Sequence, residues 1–494
     1  MGFSTLDYVI VVLYLVAMAG IGLFAGGRQA SSRDYFLGKK DIPWWAACLA
    51  IVATETSTLT FISIPGLAYA TNLNFLQVTI GYLLGRIAVS FILLPAYARG
   101  DLTTAYQFLG GRFGGPMRSV TSITFMFTRV LADGVRLFAT AIPLTILLKG
   151  WNTFTDVPDQ QVYIVAILVL AGITLSYTFF GGVRAVIWTD VVQMIIYLGG
   201  AIGAVIVIAS SLDWSFGITP LDKLSVLNTG FSLGLKEFLS TPYTLPASLL
   251  GGAVLSMASH GTDQIIVQRL FTVRTLAGSQ KALIGSGVLV ILQFLIFLLI
   301  GALLFAFYHG QSLSELGLTK TDEIFPMFII QSMPSGLSGI IIAGLLAAAM
   351  STLSGSVNSL AATSMNDIYI PLQREQLEEK KELLISRMLT LFWCVVLVAL
   401  AIFFITNTST ALVELALGIA SVTYGGLLGS FLLGVLSPRI RQGDAMIGFA
   451  SGIAIMIVVV TTTAIAWTWY TIIGTSTTLI VGHLSYFLTA RKNT

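Results

Sequence analysis

The sequence contains few charged residues. Only 10% of its 494 residues are Asp, Glu, Lys or Arg, whereas about 25% is usual in soluble domains. Hydrophobic residues make up 56%, and the mean hydropathy is +0.89. The charges cluster between long apolar runs, which is typical of α-helical spans and not of a barrel, whose strands alternate. The composition therefore predicts an all-α polytopic membrane protein.

Cysteine and catalytic motifs are also scarce. Cys48 and Cys394 both lie inside apolar runs, so no disulfide or metal framework is indicated. The sequence contains no nucleophile–base set, no metal-ligand spacing and no Walker motif. Residues 5–26 lack a basic n-region and a cleavage site, which predicts a retained span. We expect no catalysis, no organic cofactor, no nucleic-acid partner and a single transmembrane domain over residues 1–494.

Apolar runs near the length needed to cross a bilayer occur thirteen times. They lie at 5–26, 43–70, 75–98, 118–148, 161–181, 185–211, 241–268, 277–308, 324–364, 386–406, 410–437, 444–466 and 470–490.

Positive charge falls mainly in one set of alternate loops. Of the 26 Lys and Arg residues, nineteen lie in that set and four in the other, while three lie inside spans. Because Lys and Arg accumulate on the cytoplasmic side, the N-terminus is predicted outside and the C-terminus in the cytoplasm of a plasma (inner) membrane.

The ninth run is unusually rich in hydroxyls. Residues 342–364 carry no charge but hold seven hydroxyl side chains and one asparagine, in two adjacent stripes. Hydroxyls in hydrocarbon need partners, which are neighbouring helices, water or a desolvated cation. The alternative is that each hydroxyl bonds back to its own helix backbone.

Two spans carry basic residues, which are costly at membrane depth. Arg129, Asp133 and Arg136 lie on one helix face at i, i+4 and i+7, and Arg86 lies in the third span. The triplet indicates either a solute site or an internal network that satisfies itself.

Several motifs, spread in order over nearly the whole chain, resemble the sodium/solute symporter family. That family includes carriers of sugars, proline, pantothenate, monocarboxylates and sialic acids. The motifs are DYFLG (34–38), IPWW (42–45), GGVRAVIWTDVVQ (181–193), VQR (267–269), AAAMSTLS (347–354), NS (358–359) and DIY (367–369).

The resemblance implies a leucine-transporter-like fold with a five-plus-five inverted repeat. Spans 2–6 (43–211) would form the first repeat and spans 7–11 (241–437) the second, with spans 1, 12 and 13 peripheral. The first helix of each repeat should be interrupted near the midplane. Residues 53–66, which end in Pro65–Gly66, and the 246–264 segment carry such signals; ordinary kinks are the alternative.

The resemblance also implies a sodium site. Its ligands would be the carbonyls of Ala53, Thr56 and Ala348 and the side chains of Ser351 and Thr352. Neutral oxygens suit sodium, a hard cation that must be released into the cytoplasm.

Some members of the family have a second sodium site, which the resemblance would place at Asp190 and Ser354. Asp190 would add negative potential on an exit path, or else serve as a helix cap. Ser354 matches the second site, but the next position is Gly355, which has no side-chain oxygen. One sodium per cycle is therefore expected.

The solute cavity is expected on spans 2, 3, 4 and 7. Glu55 is a departure from sialic-acid and sugar carriers, where this position is neutral; its carboxylate would bind solute or a proton. The candidate lining residues are Glu55, Ser57, Thr58, Thr60, Phe75, Gln77, Thr79, Arg129, Asp133, Arg136, Ser256, Ser259, His260 and Asp263.

The resulting prediction is a monomeric sodium-coupled symporter that imports a small polar solute by alternating access. A monosaccharide, a sugar acid or another carboxylate is favoured, because two basic residues flank one acid on span 4. Two alternatives remain: a transporter-like sensor that acts with a separate signalling partner, and a proton-coupled carrier using Glu55 or Asp133.

Overall fold

The structure, a computed structural model, describes residues 3–149, 157–212, 221–406 and 410–491. Within these ranges the chain is helical and no β-strand is assigned, as predicted for an all-α protein. Two parts of the chain with a predicted place lie outside the described residues: Lys492, one of the nineteen Lys and Arg residues predicted on the cytoplasmic side, and residues 213–220, between the sixth and seventh apolar runs.

The described residues of the first half form ten α-helices. In chain order these are α1 (Thr5–Gly26), α2 (Ser32–Leu37), α3 (Trp44–Glu55), α4 (Thr58–Ala70), α5 (Leu76–Ile92), α6 (Leu94–Ala98), α7 (Ala105–Phe113), α8 (Gly115–Lys149), α9 (Asp159–Ser211) and α10 (Leu235–Ser240).

Ten more α-helices follow in the described part of the second half. They are α11 (Gly252–Gly261), α12 (Gln264–Phe271), α13 (Leu276–Phe307), α14 (Ile324–Ser332), α15 (Leu337–Thr363), α16 (Ile370–Leu372), α17 (Glu379–Thr406), α18 (Thr410–Leu436), α19 (Gln442–Thr462) and α20 (Tyr470–Arg491). Short π-helical segments are Ala247–Gly251 and Ser364–Tyr369, and 3₁₀ turns are Leu221–Leu224, Thr321–Glu323 and Trp467–Trp469.

The second span is broken, as predicted. Thr56 and Ser57 are extended between α3 and α4, which meet at 65°. The Ser57 hydroxyl accepts from the Thr60 N–H at 3.3 Å, which caps the new helix. Pro65 and Gly66, the expected break signal, instead lie inside α4. The serine cap and not the proline therefore marks the interruption.

The seventh span is broken too. A π-helical segment follows Pro246, α11 ends at Gly261, and Asp263 is extended before α12 begins. The Asp263 carboxylate accepts from the Ile265 N–H at 3.0 Å and so caps α12. This break lies inside the predicted 246–264 segment.

A kink in α9 separates the fifth and sixth predicted spans. Gly182 has φ +57°, and a Cβ there would lie 2.4 Å from the Tyr35 carbonyl oxygen. Only glycine satisfies both the left-handed backbone and this close approach.

Helix α15, which contains the hydroxyl-rich stretch, forms the centre of the structure. All its residues are buried except Leu337 and Ile340. It packs on α9, α8, α1 and α17. Its start is fixed by α1, because the Asp7 carboxylate accepts from the Gly336 and Gly339 N–H groups at 2.8 Å each.

By length and composition, eight described helices can cross a membrane, or nine with the bent α3–α4 pair. Two predicted spans are joined in the 53-residue α9. The count of thirteen spans and the boundaries of the two repeats remain predictions.

Candidate ion and solute sites

A first cavity, here called the neutral cavity, lies where α3 ends against α9 and α15. None of the described residues that line it carries a charge. They are Ala53, Thr56, Gln193, Met194, Tyr197, Ala347, Ala348 and Ser351. Four of the five predicted sodium ligands therefore meet here.

The break ends the backbone hydrogen bonding of α3 beside this cavity. The Thr56 N–H donates to the Val52 carbonyl at 3.0 Å, and this is the last helical bond of α3. From Ala53 onward, the carbonyl oxygens of α3 have no N–H group one turn later in the helix, so they need other hydrogen-bond partners. The Thr56 hydroxyl lies 2.7 Å from Gln293 Nε2, which donates to it.

A second cavity, here called the charged cavity, lies on the other side of the break. It is lined by Ser57, Thr58, Asp133, Arg136, Leu137, Thr140, Ala349, Thr352 and Leu353. Four of these residues, Ser57, Thr58, Asp133 and Arg136, were predicted to line the solute cavity. Thr352 is the fifth predicted sodium ligand. Thr352 donates to the Ala348 carbonyl at 3.0 Å, so its oxygen lone pairs stay available to a ligand.

Asp133 connects the charged cavity with the span 7 break. It pairs with Arg136 at 3.2 Å and with Arg129 at 3.4 Å, and it accepts from Ser356 Oγ. Arg129 in turn forms an ion pair with Asp263.

The two arginines of α8 thus differ in availability. Arg129 is buried and committed to two carboxylates, and Tyr424 also donates to Asp263 at 2.9 Å. The Arg136 side chain is 34% exposed and lines the charged cavity. Of the two arginines, Arg136 is therefore the one exposed to the charged cavity, a distinction that helical spacing alone did not provide.

Glu55 belongs to a separate buried cluster and lines neither cavity. Its carboxylate pairs with Arg86, and His260 Nε2 lies 3.4 Å away. Arg86 is fully buried and donates to Ser286 Oγ at 2.7 Å. The Ser259 hydroxyl contacts His260 Nδ1 at 2.8 Å.

Ser256 lies beside the same cluster, with its hydroxyl 3.5 Å from His260 Nδ1. The structure therefore groups Glu55, Ser256, Ser259 and His260 with each other and apart from the charged cavity. Their assignment to the solute remains a prediction.

Phe75 and Gln77 both contact Tyr243, at the start of the seventh apolar run. Phe75 stacks on Phe294 with centroids 5.1 Å apart and meets Tyr243 edge-on. Gln77 Nε2 donates to the Tyr243 carbonyl at 3.1 Å, while its Oε1 accepts from the Asn228 N–H. Neither side chain lines the neutral or the charged cavity, and solute contact by either stays a prediction.

Two further threonines make local bonds. The Thr60 hydroxyl lies 3.2 Å from Ser57 Oγ, and Thr79 donates to the Leu76 carbonyl at 2.8 Å. Neither threonine lines the neutral or the charged cavity. Their solute role likewise remains a prediction.

Asp190 lies beside the neutral cavity. It is fully buried, accepts from Ser351 Oγ at 2.7 Å and pairs with Arg269 at 2.8 Å. Ser354 donates to the Ser351 carbonyl at 3.1 Å.

Sequence reasoning missed Gln193 and Tyr197 in the neutral cavity and Arg269 as the partner of Asp190. A signal was present for the first two. Asp190, Gln193 and Tyr197 follow at i, i+3 and i+7, which places them on one helix face. Arg269 comes from a distant segment, and only the tertiary fold brings it close.

Broken helices around two adjoining buried cavities define a multi-pass membrane transporter. The family model of the sodium:solute symporter family matches residues 35–452, and the chain belongs to this family.

Two curated relatives match along nearly their whole length. The sodium/sialic acid symporter NanT of Aliivibrio fischeri is 31% identical over 492 residues, covering 98% of this chain and 93% of the relative. The sodium/sialic acid symporter SiaT of Proteus mirabilis is 28% identical over 488 residues, covering 98% and 95%.

Solved structures agree on the fold. A Na⁺-coupled sialic acid symporter, in a substrate-bound outward-open state, superposes with a TM-score of 0.84 at 26% identity, covering 98% of each chain. MhsT in complex with L-phenylalanine superposes with a TM-score of 0.52 at 15% identity, covering 90% of this chain and 98% of MhsT, and shows the fold alone.

These findings confirm the predicted family and the leucine-transporter-like helical fold. They also confirm that the protein is a transporter and not an enzyme. It is a sodium-coupled symporter of a small organic solute, with Na⁺ as the co-transported ion.

Proposed function

We propose that this symporter imports a small polar anion, such as a sugar acid or another carboxylate, together with one sodium ion. The sodium would bind in the neutral cavity and the solute in the charged cavity. The observation that carries the proposal is the break at Thr56–Ser57, because these two consecutive residues line different cavities.

The neutral cavity has the chemistry that a reversible sodium site requires. Carbonyls of Ala53, Thr56 and Ala348 and the hydroxyl of Ser351 are hard, uncharged oxygen donors. Such donors replace water around sodium without the tight hold of a carboxylate cage. Thr352, one position further along α15, would complete the set from the charged cavity.

The charged cavity supports an anionic solute with hydroxyl groups. Arg136 offers a planar guanidinium that suits a carboxylate. Hydroxyls of Ser57, Thr58, Thr140 and Thr352 surround it, and they can bond a polyhydroxylated body. The names of two relatives specify sialic acid, which is a sugar acid.

Coupling would arise because the same two segments form both cavities. Sodium between residues 53–56 and α15 would hold the break against that helix. The same contact would order Ser57 and Thr58 for the solute. Each ligand would then strengthen binding of the other by an equal factor.

We also propose an inner-membrane location with the N-terminus outside and the C-terminus cytoplasmic. The support is the distribution of Lys and Arg between alternate loops. Two of the basic residues assigned to the cytoplasm pair outside the spans: Arg33 with Asp101, and Arg184 with Asp41 at 2.6 Å.

The test is a thermal-shift screen of sugars, sugar acids, amino acids and monocarboxylates, with and without sodium, followed by uptake in proteoliposomes. A coupled ligand should stabilise the protein most when sodium is present. Uptake of the best ligand should follow an inward sodium gradient. A neutral or cationic ligand, or uptake driven by a pH jump without sodium, would contradict the proposal.

A further inference from the structure

An open cleft, here called the basic cleft, lies where the start of α3 meets residues 272–275, which link α12 to α13. Its volume is about 620 Å³, within the range of sites that hold small ligands. Its charged and aromatic lining residues are Lys39, Lys40, Asp41, Trp44 and Arg274. None of its lining residues borders the neutral or the charged cavity. The basic cleft is therefore a separate site, with three cations and one carboxylate.

Positive charge is in excess in the basic cleft. Lys39 and Arg274 are both exposed, and neither forms an ion pair with any described residue. The one carboxylate, Asp41, already pairs with Arg184 at 2.6 Å. At least two positive charges are thus left without a partner, and an anionic ligand would supply one.

A smaller cleft of about 310 Å³ adjoins the basic cleft and shares Lys40 and Arg274 with it. Lys40 lies 3.4 Å from Asp101, whose other partner is Arg33, so the charge of Lys40 is only partly compensated. The wall of the smaller cleft includes the apolar side chains of Leu94, Leu102, Leu270, Phe271 and Leu276. An anionic group beside the two shared cations would therefore have apolar surface next to it.

Two tryptophans mark the depth of the basic cleft in the membrane. Trp44 and Trp45 begin α3 and are 45% and 44% exposed, and tryptophan is enriched at the level of the lipid head groups. Trp44 also packs along α13: a Cβ at Gly278 would lie 4.0 Å from its Cβ, and a Cβ at Gly285 would lie 3.8 Å from its ring. The cleft therefore opens at head-group level, where the apolar helices α3 and α13 enter the bilayer.

We propose that the basic cleft binds the phosphate head group of an anionic phospholipid. Lys39, Lys40 and Arg274 would pair with the phosphodiester, and Trp44 would pack beside the lipid where its acyl chains begin. Basic pockets between membrane helices bind anionic head groups in this way, and the apolar surroundings favour a lipid over a soluble phosphate. The inference goes beyond the proposed function and rests on it only for the assignment of this face to the cytoplasm.

A lipid in this cleft would connect the two broken spans. Helix α3 runs from the basic cleft to the break at Thr56, and α12 runs from the break at Asp263 back to the cleft. The two helices pack against each other. A phosphate held by Lys39 before α3 and by Arg274 after α12 would tie their ends together, so the lipid should stabilise this arrangement.

Thermal unfolding of the purified full chain in detergent, titrated with lipid, tests the inference without sodium or solute. Phosphatidylglycerol should raise the melting temperature in a saturable way. Phosphatidylcholine with the same acyl chains, which carries no net charge, should raise it much less. Glycerol 3-phosphate, which has the phosphate but no acyl chains, should have little effect at the same concentrations.

Variants locate the site. Each Lys or Arg near an anionic lipid is worth about fivefold in affinity. The triple variant Lys39→Gln/Lys40→Gln/Arg274→Gln should therefore need at least about tenfold more phosphatidylglycerol for the half-maximal shift. The matched control is Lys380→Gln/Lys381→Gln/Arg439→Gln, which removes three exposed cations from other loops on the same predicted side, and it should behave like the wild type.

Equal shifts with phosphatidylglycerol and phosphatidylcholine would overturn the inference, and so would an unchanged titration in the triple variant. An equal response to glycerol 3-phosphate would mean that the ligand is a soluble phosphate and not a lipid. If the triple variant does not fold, the single variants Lys39→Gln and Arg274→Gln decide, with an expected loss of about fivefold each. Because the readout needs neither sodium nor solute, these failures would leave the proposed function intact.

Discussion

Ser351 and Thr352 are consecutive residues of α15 but line different cavities, Ser351 the neutral one and Thr352 the charged one. At the break between α3 and α4, Thr56 likewise lines the neutral cavity and Ser57 the charged cavity. The ion and the solute are therefore expected to share two short stretches of backbone, and a change at one cavity should be felt at the other.

Substituting the α15 hydroxyls should weaken sodium activation. We expect Ser351→Ala and Thr352→Ala each to raise the sodium concentration for half-maximal uptake about tenfold, which corresponds to about 1.4 kcal/mol of binding. Thr352→Ala should also raise the KM for solute. Ser338→Ala is the matched control, because this buried α15 hydroxyl bonds to the Pro334 carbonyl away from both cavities. Unchanged sodium activation in both variants would remove α15 from the ion site.

Arg136→Gln should abolish the preference for anionic solutes. The loss of a guanidinium–carboxylate pair is expected to reduce affinity for a carboxylate at least about tenfold, since hydrogen bonds to charged groups contribute about 1.5–3 kcal/mol. Affinity for an uncharged analogue should change little. Competition by matched acid and amide analogues measures the difference. Arg184→Gln, at an exposed ion pair, is the control, and equal losses for both analogues would refute a direct contact.

Glu55 and Arg86 should act together in folding. Glu55→Gln leaves the fully buried Arg86 without its counter-charge, which should destabilise the protein by about 3–5 kcal/mol. The double variant Glu55→Gln/Arg86→Met should recover most of this loss. Thermal unfolding in detergent checks the cycle. Additive losses in the double variant would mean that the two side chains do not interact.

The ion pair between Arg33 and Asp101 predicts a pH effect outside the membrane. The hydrogen bonds from Arg33 lower the pKa of Asp101 to about 2. Because the folded pKa is below the ordinary value of 3.8, the stabilisation is complete above that value. It is lost as the pH falls towards 2. The effect should be small, since both side chains are largely exposed.

Melting temperatures of the wild type and Asp101→Asn, compared between pH 7 and pH 2.5, measure this contribution. The difference should be constant down to about pH 4 and shrink below it. A difference that grows on acidification would have the wrong sign for this pair.

The all-helical membrane fold could be predicted from the sequence, because membrane-spanning helices appear as long apolar runs. The 342–364 stretch, free of charge and dense in hydroxyls, identified the most buried helix. The break in span 2 was also foreseen, but Pro65–Gly66 suggested the wrong end of the segment. A serine cap at position 57 starts a helix that then accommodates the proline, and that choice depends on local hydrogen bonds.

Side-chain partners were harder to predict, because they come from distant segments. Helical spacing placed Arg129 and Arg136 on one face of α8. It did not show that Arg129 forms an ion pair with Asp263 from another span. Likewise, the sequence did not show that Arg86 and His260 contact the Glu55 carboxylate. Such pairings depend on how helices cross, which a single sequence does not encode locally.

The central claim is that sodium binds in the neutral cavity and thereby promotes solute binding. Its most direct test is solute binding to purified protein over a range of sodium concentrations, in the wild type and in Ser351→Ala. The account predicts that saturating sodium tightens wild-type solute affinity by about 5–150-fold and that Ser351→Ala needs about ten times more sodium for the same gain. Solute affinity independent of sodium, or identical sodium dependence in both proteins, would contradict it.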